Sequence, residues 1–356
     1  MLLWGLAMST TRSYTKFLAF TLSAVALFLA YVWIQSWVLA DRTMGLQHQM
    51  VRYQKELIGG KFPHLEGLDV LVIGDSTAAQ NILPTEFVNL RGASVAASGV
   101  SAIESYYILK RYLETPLSKQ RSAPRCVLLM TSYGAHQYHI SNFFWPLTVG
   151  HGLITKEEAV DFFNESTKLQ AWPSTEFNTW SYLAHLLSER VAYHLQFGTL
   201  NQMIFRPNLT FLHSQRSYRT FRRMSGAGPL NRSPIWLEHP FDGPNQDFLK
   251  KPFKVDPILD LYIRKIIELT NQHNIRLIAA YGPLAESTRS PMSETWLSSA
   301  LTHLSQLIDS NPRVINLMKA SWMIDSHFTD ASHLKLKSAI EYSRNLSGEL
   351  QFCKEN

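Results

Sequence analysis

Two short groups of residues at opposite ends of a 356-residue chain have the right types for acyl chemistry: Gly74-Asp75-Ser76, and Asp330-Ala331-Ser332-His333. A serine hydroxyl is a weak nucleophile until a base lies beside it. Asp and Ser are also preferred helix N-caps, so the first group taken alone marks a helix start as readily as a catalytic turn. In the second group the spacing of three places Asp330 and His333 on one side of a turn, where the carboxylate can orient the imidazole. Combined, Ser76, His333 and Asp330 supply nucleophile, general base and orienter. His136 and His139, spaced i and i+3, suit a substrate contact or a polar surface; no carboxylate or third histidine has ligand-like spacing with them, so no metal is expected. Arg216, Arg219, Arg222 and Arg223, interleaved with Tyr218 and Phe221, form the concentrated basic patch of the chain. It suits lipid headgroups, an anionic glycan or a solvated face.

Positioning these groups requires a scaffold, and the hydrophobic pattern supplies one. The run Asp69 to Ile73, closed by Gly74, predicts a strand buried on both faces, and similar runs recur at 94–97, 126–130, 275–281 and 314–317. Helical spacing occupies 102–113, 257–271, 293–309 and 334–350. Strands alternating with helices predict an α/β fold with a parallel sheet covered on both faces. Ser76 then opens a helix at the carboxyl end of the first strand, the edge where such sheets bind ligands. His333 precedes the last helix. From about 135 to 255 the chain is aromatic-rich with weak periodicity, which reads as an insertion over that edge or as a small separate unit.

The composition narrows the class further. At 46% hydrophobic and 12% aromatic the chain can bury a large core, which excludes disordered and collagen-like classes. Charged residues make up 17%, below the ordinary soluble range of about 25%, and the deficit points to a membrane-associated part. Phe17 to Ala40 is a run of 24 uncharged residues, long enough to span a bilayer as a helix, with Trp33 and Trp37 toward its far end. Arg12 and Lys16 before it place residues 1–16 in the cytoplasm and the domain from 68 to 356 outside, joined by a stalk over 41–67. A signal peptide cleaved before Asp41 is the competing reading, and it sends the domain to the same side. The net charge of +6 is spread along the chain without a nucleic-acid motif, so no nucleic-acid partner is expected. Two cysteines, Cys126 and Cys353, are too few for a disulfide-stapled scaffold and lack zinc spacing, leaving an ordinary core to hold the fold.

Gly74-Asp75-Ser76 resembles block I of the SGNH (GDSL-type) hydrolases, and Asp330 to His333 resembles their block V. The segment His327 to Leu346 is similar to the closing segment of membrane-anchored SGNH proteins of polysaccharide O-acetylation and teichoic-acid D-alanylation. The resemblance covers the anchor and the α/β core, but not the aromatic insertion. It implies a flavodoxin-like three-layer sheet and a Ser76, His333, Asp330 triad, with no cofactor. The N–H groups of Ser76 and Gly99 would form the oxyanion hole. Where the family carries an Asn after the third strand, this chain has Thr131-Ser132-Tyr133-Gly134, so Ser132 or Tyr133 is the candidate substitute donor. The implied function is acyl transfer, of acetyl in the first instance, to an envelope or secreted polysaccharide at the bacterial inner membrane, with a polytopic acyltransferase as partner. An esterase and a non-catalytic glycan-binding subunit are the alternatives.

Overall fold

The computed structural model describes residues 2–34, 46–62, 66–97, 100–115, 122–136, 152–169, 219, 222–226, 253–289, 294–309, 311–318, 321–330 and 332–354. Five strands form one sheet: β1 (Val70–Gly74), β2 (Gly92–Ser94), β3 (Cys126–Thr131), β4 (Arg276–Tyr281) and, after the two-residue β5 (Leu284–Ala285), β6 (Val314–Leu317). Their order is 2-1-3-4-6 and every pairing is parallel. This is one of the two common doubly wound orders, whose ligand crevice lies at the carboxyl ends where the winding reverses, between β1 and β3. Strand β7 (Trp322–Met323) pairs with β5 in a separate two-stranded sheet.

The sequence pattern explains the layers. β1 and β3 are buried along their whole length, as continuous Val, Leu and Ile runs require when helices cover both faces. Helices α4 (Ala102–Glu114) and α6 (Pro257–Gln272) pack against each other, and α7 (Glu294–Asp309) joins α6 through a 2.8 Å bond between His303 and Asp260. The right-handed crossover rule places these rightward connections on one face. The short α3 (Ser76–Asn81), which leads leftward to β2, lies on the other with α8 (Leu336–Glu349) packed on it. Starts are capped as the sequence dictates: Ser101 and Glu104 form a reciprocal capping box on α4, and Asp256 caps α6 ahead of Pro257.

Strand β2 ends at Ser94, earlier than the predicted 94–97 stretch, yet the bonding to β1 continues as Val95 N–H donates to Val72 and Ala97 N–H donates to Gly74. Although β2 is an edge strand its residues are buried. On its open side Ser94 N–H donates to Ser225 at 2.7 Å, and Gln54 of α2 (Leu46–Ile58) donates to the Val95 carbonyl. Covering an edge in this way removes its unpaired backbone groups. Ser225 belongs to the 135–255 region, most of which lies outside the described residues. A second described part of that region, α5 (Lys156–Lys168), docks on α4 and α6 through polar contacts. Arg111 of α4 bonds Glu158 at 2.8 Å, and Tyr262 and Lys265 of α6 both donate to Glu165.

Two expectations about the ends of the chain meet the structure differently. Helix α1 (Leu2–Ile34) carries the apolar N-terminal run, and its side chains from 14 to 30 are all exposed. Among the described residues no helix is long and apolar enough to cross a membrane, and 35–40, the rest of the expected span, lie outside them. The cysteine expectation is corrected. Cys126 at the start of β3 and Cys353 after α8 are joined in a disulfide across 227 positions, so the core is not the sole restraint. The spacing gave no warning because the pairing arises from the fold: the last helix returns the chain end to the amino edge of the central strand.

Candidate active site

Strand β1 ends on a residue that only glycine can be. Gly74 has φ +135°, and a Cβ there would lie 1.8 Å from the Met130 carbonyl oxygen of β3. The resulting close turn lets Asp75 cap α3. Its Oδ1 accepts the Thr77 N–H at 2.8 Å and its Oδ2 accepts the Ser132 N–H at 2.7 Å, so one carboxylate ties the start of α3 to the loop leaving β3. Asp75 is thus the cap, and Ser76 is the first helical residue. The Ser76 N–H has no acceptor among the described residues, as expected for the first turn of a helix.

His333 reaches this turn from the far end of the chain. Its Nε2 lies 2.9 Å from Ser76 Oγ and its Nδ1 lies 2.7 Å from Asp330 Oδ2. Asp330 Oδ1 accepts the N–H groups of Ser332 and His333, each at 3.0 Å, so the spacing of three is closed by backbone as well as side chain. Burial pushes the Asp330 carboxyl up. The His333 hydrogen bond and charge, with the two N–H bonds, outweigh it and hold the carboxyl below its ordinary value. A carboxylate kept ionised there fixes the Nδ1–H tautomer and leaves Nε2 free to accept a proton from Ser76.

Residues that the sequence did not single out hold the histidine in place. Asn81, the last residue of α3 and fully buried, donates from Nδ2 to the Ser332 carbonyl and accepts the Leu334 N–H on Oδ1, both at 2.8 Å. Thr329 donates its N–H and its hydroxyl to the His333 carbonyl, at 2.7 and 2.9 Å. Gly282, just past β4, presses on α3, where a Cβ would come within 1.9 Å of Thr77 Cγ2. None of these had a local signal, because each partner is distant in sequence or is backbone.

The other expected site residues fall differently. Ser132 spends its N–H on Asp75, which leaves only its half-buried hydroxyl for an oxyanion. Tyr133 is buried and stacked on Tyr281 at 4.2 Å, its hydroxyl accepts the Ser321 N–H just before β7, and burial pushes its pKa up to about 12. Gly99 and His139 lie outside the described residues, as does the His136 side chain. Arg219 is exposed. Among the described residues no group of three His, Cys, Asp or Glu side chains could hold a metal ion.

A hydroxyl, an imidazole and a carboxylate in series at the carboxyl edge of a parallel sheet can move a proton off the hydroxyl as it attacks a carbonyl. No protein-family model matches the chain, and no curated protein matches it either.

Proposed function

We propose that the chain is a membrane-anchored SGNH-like O-acyltransferase that moves an acyl group, acetyl in the first instance, onto an envelope or secreted polysaccharide. The observation that carries this reading is the 2.9 Å approach of His333 Nε2 to Ser76 Oγ, with Asp330 on the other ring nitrogen. Ser76 Oγ bonds to the acyl carbon of the donor ester while its proton passes to His333 Nε2. The donor C–O bond then breaks and His333 protonates the departing oxygen. In the second half a glycan hydroxyl gives its proton to His333 and bonds to the acyl carbon, and Ser76 leaves with the proton returned. The Ser76 N–H faces the developing oxyanion, with Gly99 as its partner donor.

Two features support an extracytoplasmic setting. The exposed apolar side chains of α1 suit a lipid environment, and the Cys126–Cys353 disulfide suits an oxidising compartment. The anchor runs from Phe17 to Ala40 with residues 1–16 cytoplasmic. A polytopic acyltransferase partner brings the donor across the membrane.

A fluorophosphonate probe on the full-length protein tests the serine. Labelling that disappears in Ser76→Ala and His333→Ala is expected, and an unlabelled wild-type protein would overturn the enzyme reading. An activated acyl ester supplied with and without oligosaccharide separates transfer from hydrolysis. Acyl sugar that depends on Ser76 is expected, whereas hydrolysis that sugar neither diverts nor accelerates would make the protein an esterase. A C-terminal alkaline phosphatase fusion should be active, and an inactive one would reverse the topology.

A further inference from the structure

We propose that Asn81 is a positioning residue that sets the separation of Ser76 from His333, a role that rests on the catalytic reading of that pair. The six-residue α3 begins with Ser76 and ends with Asn81, so one short rigid element carries the hydroxyl at one end and the anchor of the imidazole at the other. The Asn81 side chain grips the backbone on both sides of His333: Nδ2–H to the Ser332 carbonyl and Oδ1 to the Leu334 N–H, each at 2.8 Å. A side-chain amide donates from one atom and accepts on the other at once, which an ionised carboxylate cannot do for want of a donor and an apolar side chain cannot do at all. The amide is fully buried, so either bond left unmade would leave a desolvated backbone group.

The hydrogen bonds within the loop do not fix His333 relative to Ser76, and the apolar cluster around Leu334 is non-directional. Asp330 and Thr329 belong to the same loop as the histidine and would move with it. Apart from the Ser76–His333 contact itself, Asn81 is the described side chain that ties this loop to α3 by hydrogen bonds. A shift of about 1 Å in a reacting group can cost about 100-fold in rate, so loosening this tie should act on chemistry beyond its effect on folding.

The test compares Asn81→Ala and Asn81→Leu with Ser347→Ala in the full-length protein. Ser347 is a suitable control because it is fully buried on α8 and accepts the Val88 N–H at 3.1 Å, away from the histidine loop. Asn81→Leu keeps the approximate size and makes neither bond. Two quantities are read well below each protein's melting temperature: the rate constant of fluorophosphonate labelling at Ser76, and the nitrogen-15 resonance of His333 Nε2, which reports its hydrogen bond to Ser76 Oγ. We expect both Asn81 variants to label about 100-fold more slowly, yet to completion, and to shift the Nε2 resonance away from its wild-type position, while Ser347→Ala keeps both. Asn81 variants that keep the wild-type resonance and rate, or a Ser347 variant that loses them equally, would reduce Asn81 to a structural residue. A wild-type protein that is never labelled would sink the enzyme reading, while the resonance comparison would still decide the role of Asn81.

Discussion

The two halves of the site are held by different forces. The Ser76 turn is part of the sheet: Gly74 pairs with Met130 in the β1–β3 ladder, and Asp75 bonds both α3 and the loop after β3. The histidine loop is fastened to that frame from outside, by hydrogen bonds through Asn81 and a small apolar cluster of Leu83, Ala285, Phe328, Leu334 and Ala339. His333 keeps 17% of its side-chain surface exposed and Asp330 keeps 38%. A turn built into a ladder cannot shift without breaking the sheet, whereas a loop tied by a few bonds can move by fractions of an ångström. Changes in the turn should therefore cost the fold, and changes in the loop should cost the geometry of the histidine first.

The largest expected effect breaks the turn. Gly74→Ala must place a Cβ 1.8 Å from the Met130 carbonyl oxygen at φ +135°, and neither backbone can yield inside the ladder. We expect a loss of more than about 3 kcal/mol, which many domains do not survive. Urea unfolding monitored by circular dichroism measures it. An alanine variant within about 1 kcal/mol of wild type, close to the effect of an ordinary surface substitution, would show that the turn is not locked.

Gly282→Ala sharpens the same point with a built-in rescue. Its Cβ would fall 1.9 Å from Thr77 Cγ2, and Thr77 is buried beside Ser76. Overpacking of this kind costs about 1–3 kcal/mol. Because the obstruction is one methyl group, Thr77→Ser should remove it, and the double variant should recover most of the lost stability. A double variant no more stable than Gly282→Ala would place the strain elsewhere.

How much of this was legible follows the same division. β1, β3, β4 and β6, and helices α4, α6, α7 and α8, lie within a few residues of their predicted spans, because buried strands and amphipathic helices write their periods directly into the chain. The Asp330–His333 bond was legible too, since three residues apart on one turn is a local relation. Asn81 was not: its partners lie more than 250 positions away and are backbone groups, which no side-chain pattern announces. The two-residue strands β5 and β7 and the Cys126–Cys353 bond were hidden for the same reason. Each exists only once the sheet has brought distant segments together.

A smaller effect is expected within the loop. Thr329→Val keeps the shape and the 2.7 Å backbone bond to the His333 carbonyl but deletes the 2.9 Å hydroxyl bond. One neutral hydrogen bond among two to the same acceptor is worth about 1 kcal/mol. Stability should fall by roughly that amount, with labelling at Ser76 slowed far less than in the Asn81 variants. A Thr329 variant as slow as Asn81→Ala would mean that the loop's internal bonds, and not its tie to α3, place the histidine.

The smallest effect is a change of slope with pH. The Asp330 carboxyl titrates lower in the folded chain than in the unfolded one, because its bonds to His333 and to two N–H groups outweigh burial. The unfolded chain therefore binds the proton first, and the stability that the ionised group contributes is fully present above its ordinary value of 3.8. It is lost as the pH falls through the lower folded value. Asp330→Asn cannot titrate, so the stability gap between wild type and variant should close as the pH falls below about 4. Partial exposure screens the carboxylate, which keeps the change in slope modest. Urea midpoints collected across this range measure the gap. A gap that stays constant or widens in acid would show that His333 and the loop N–H groups do not favour the ionised form, and the orienting role of Asp330 would lose its electrostatic basis.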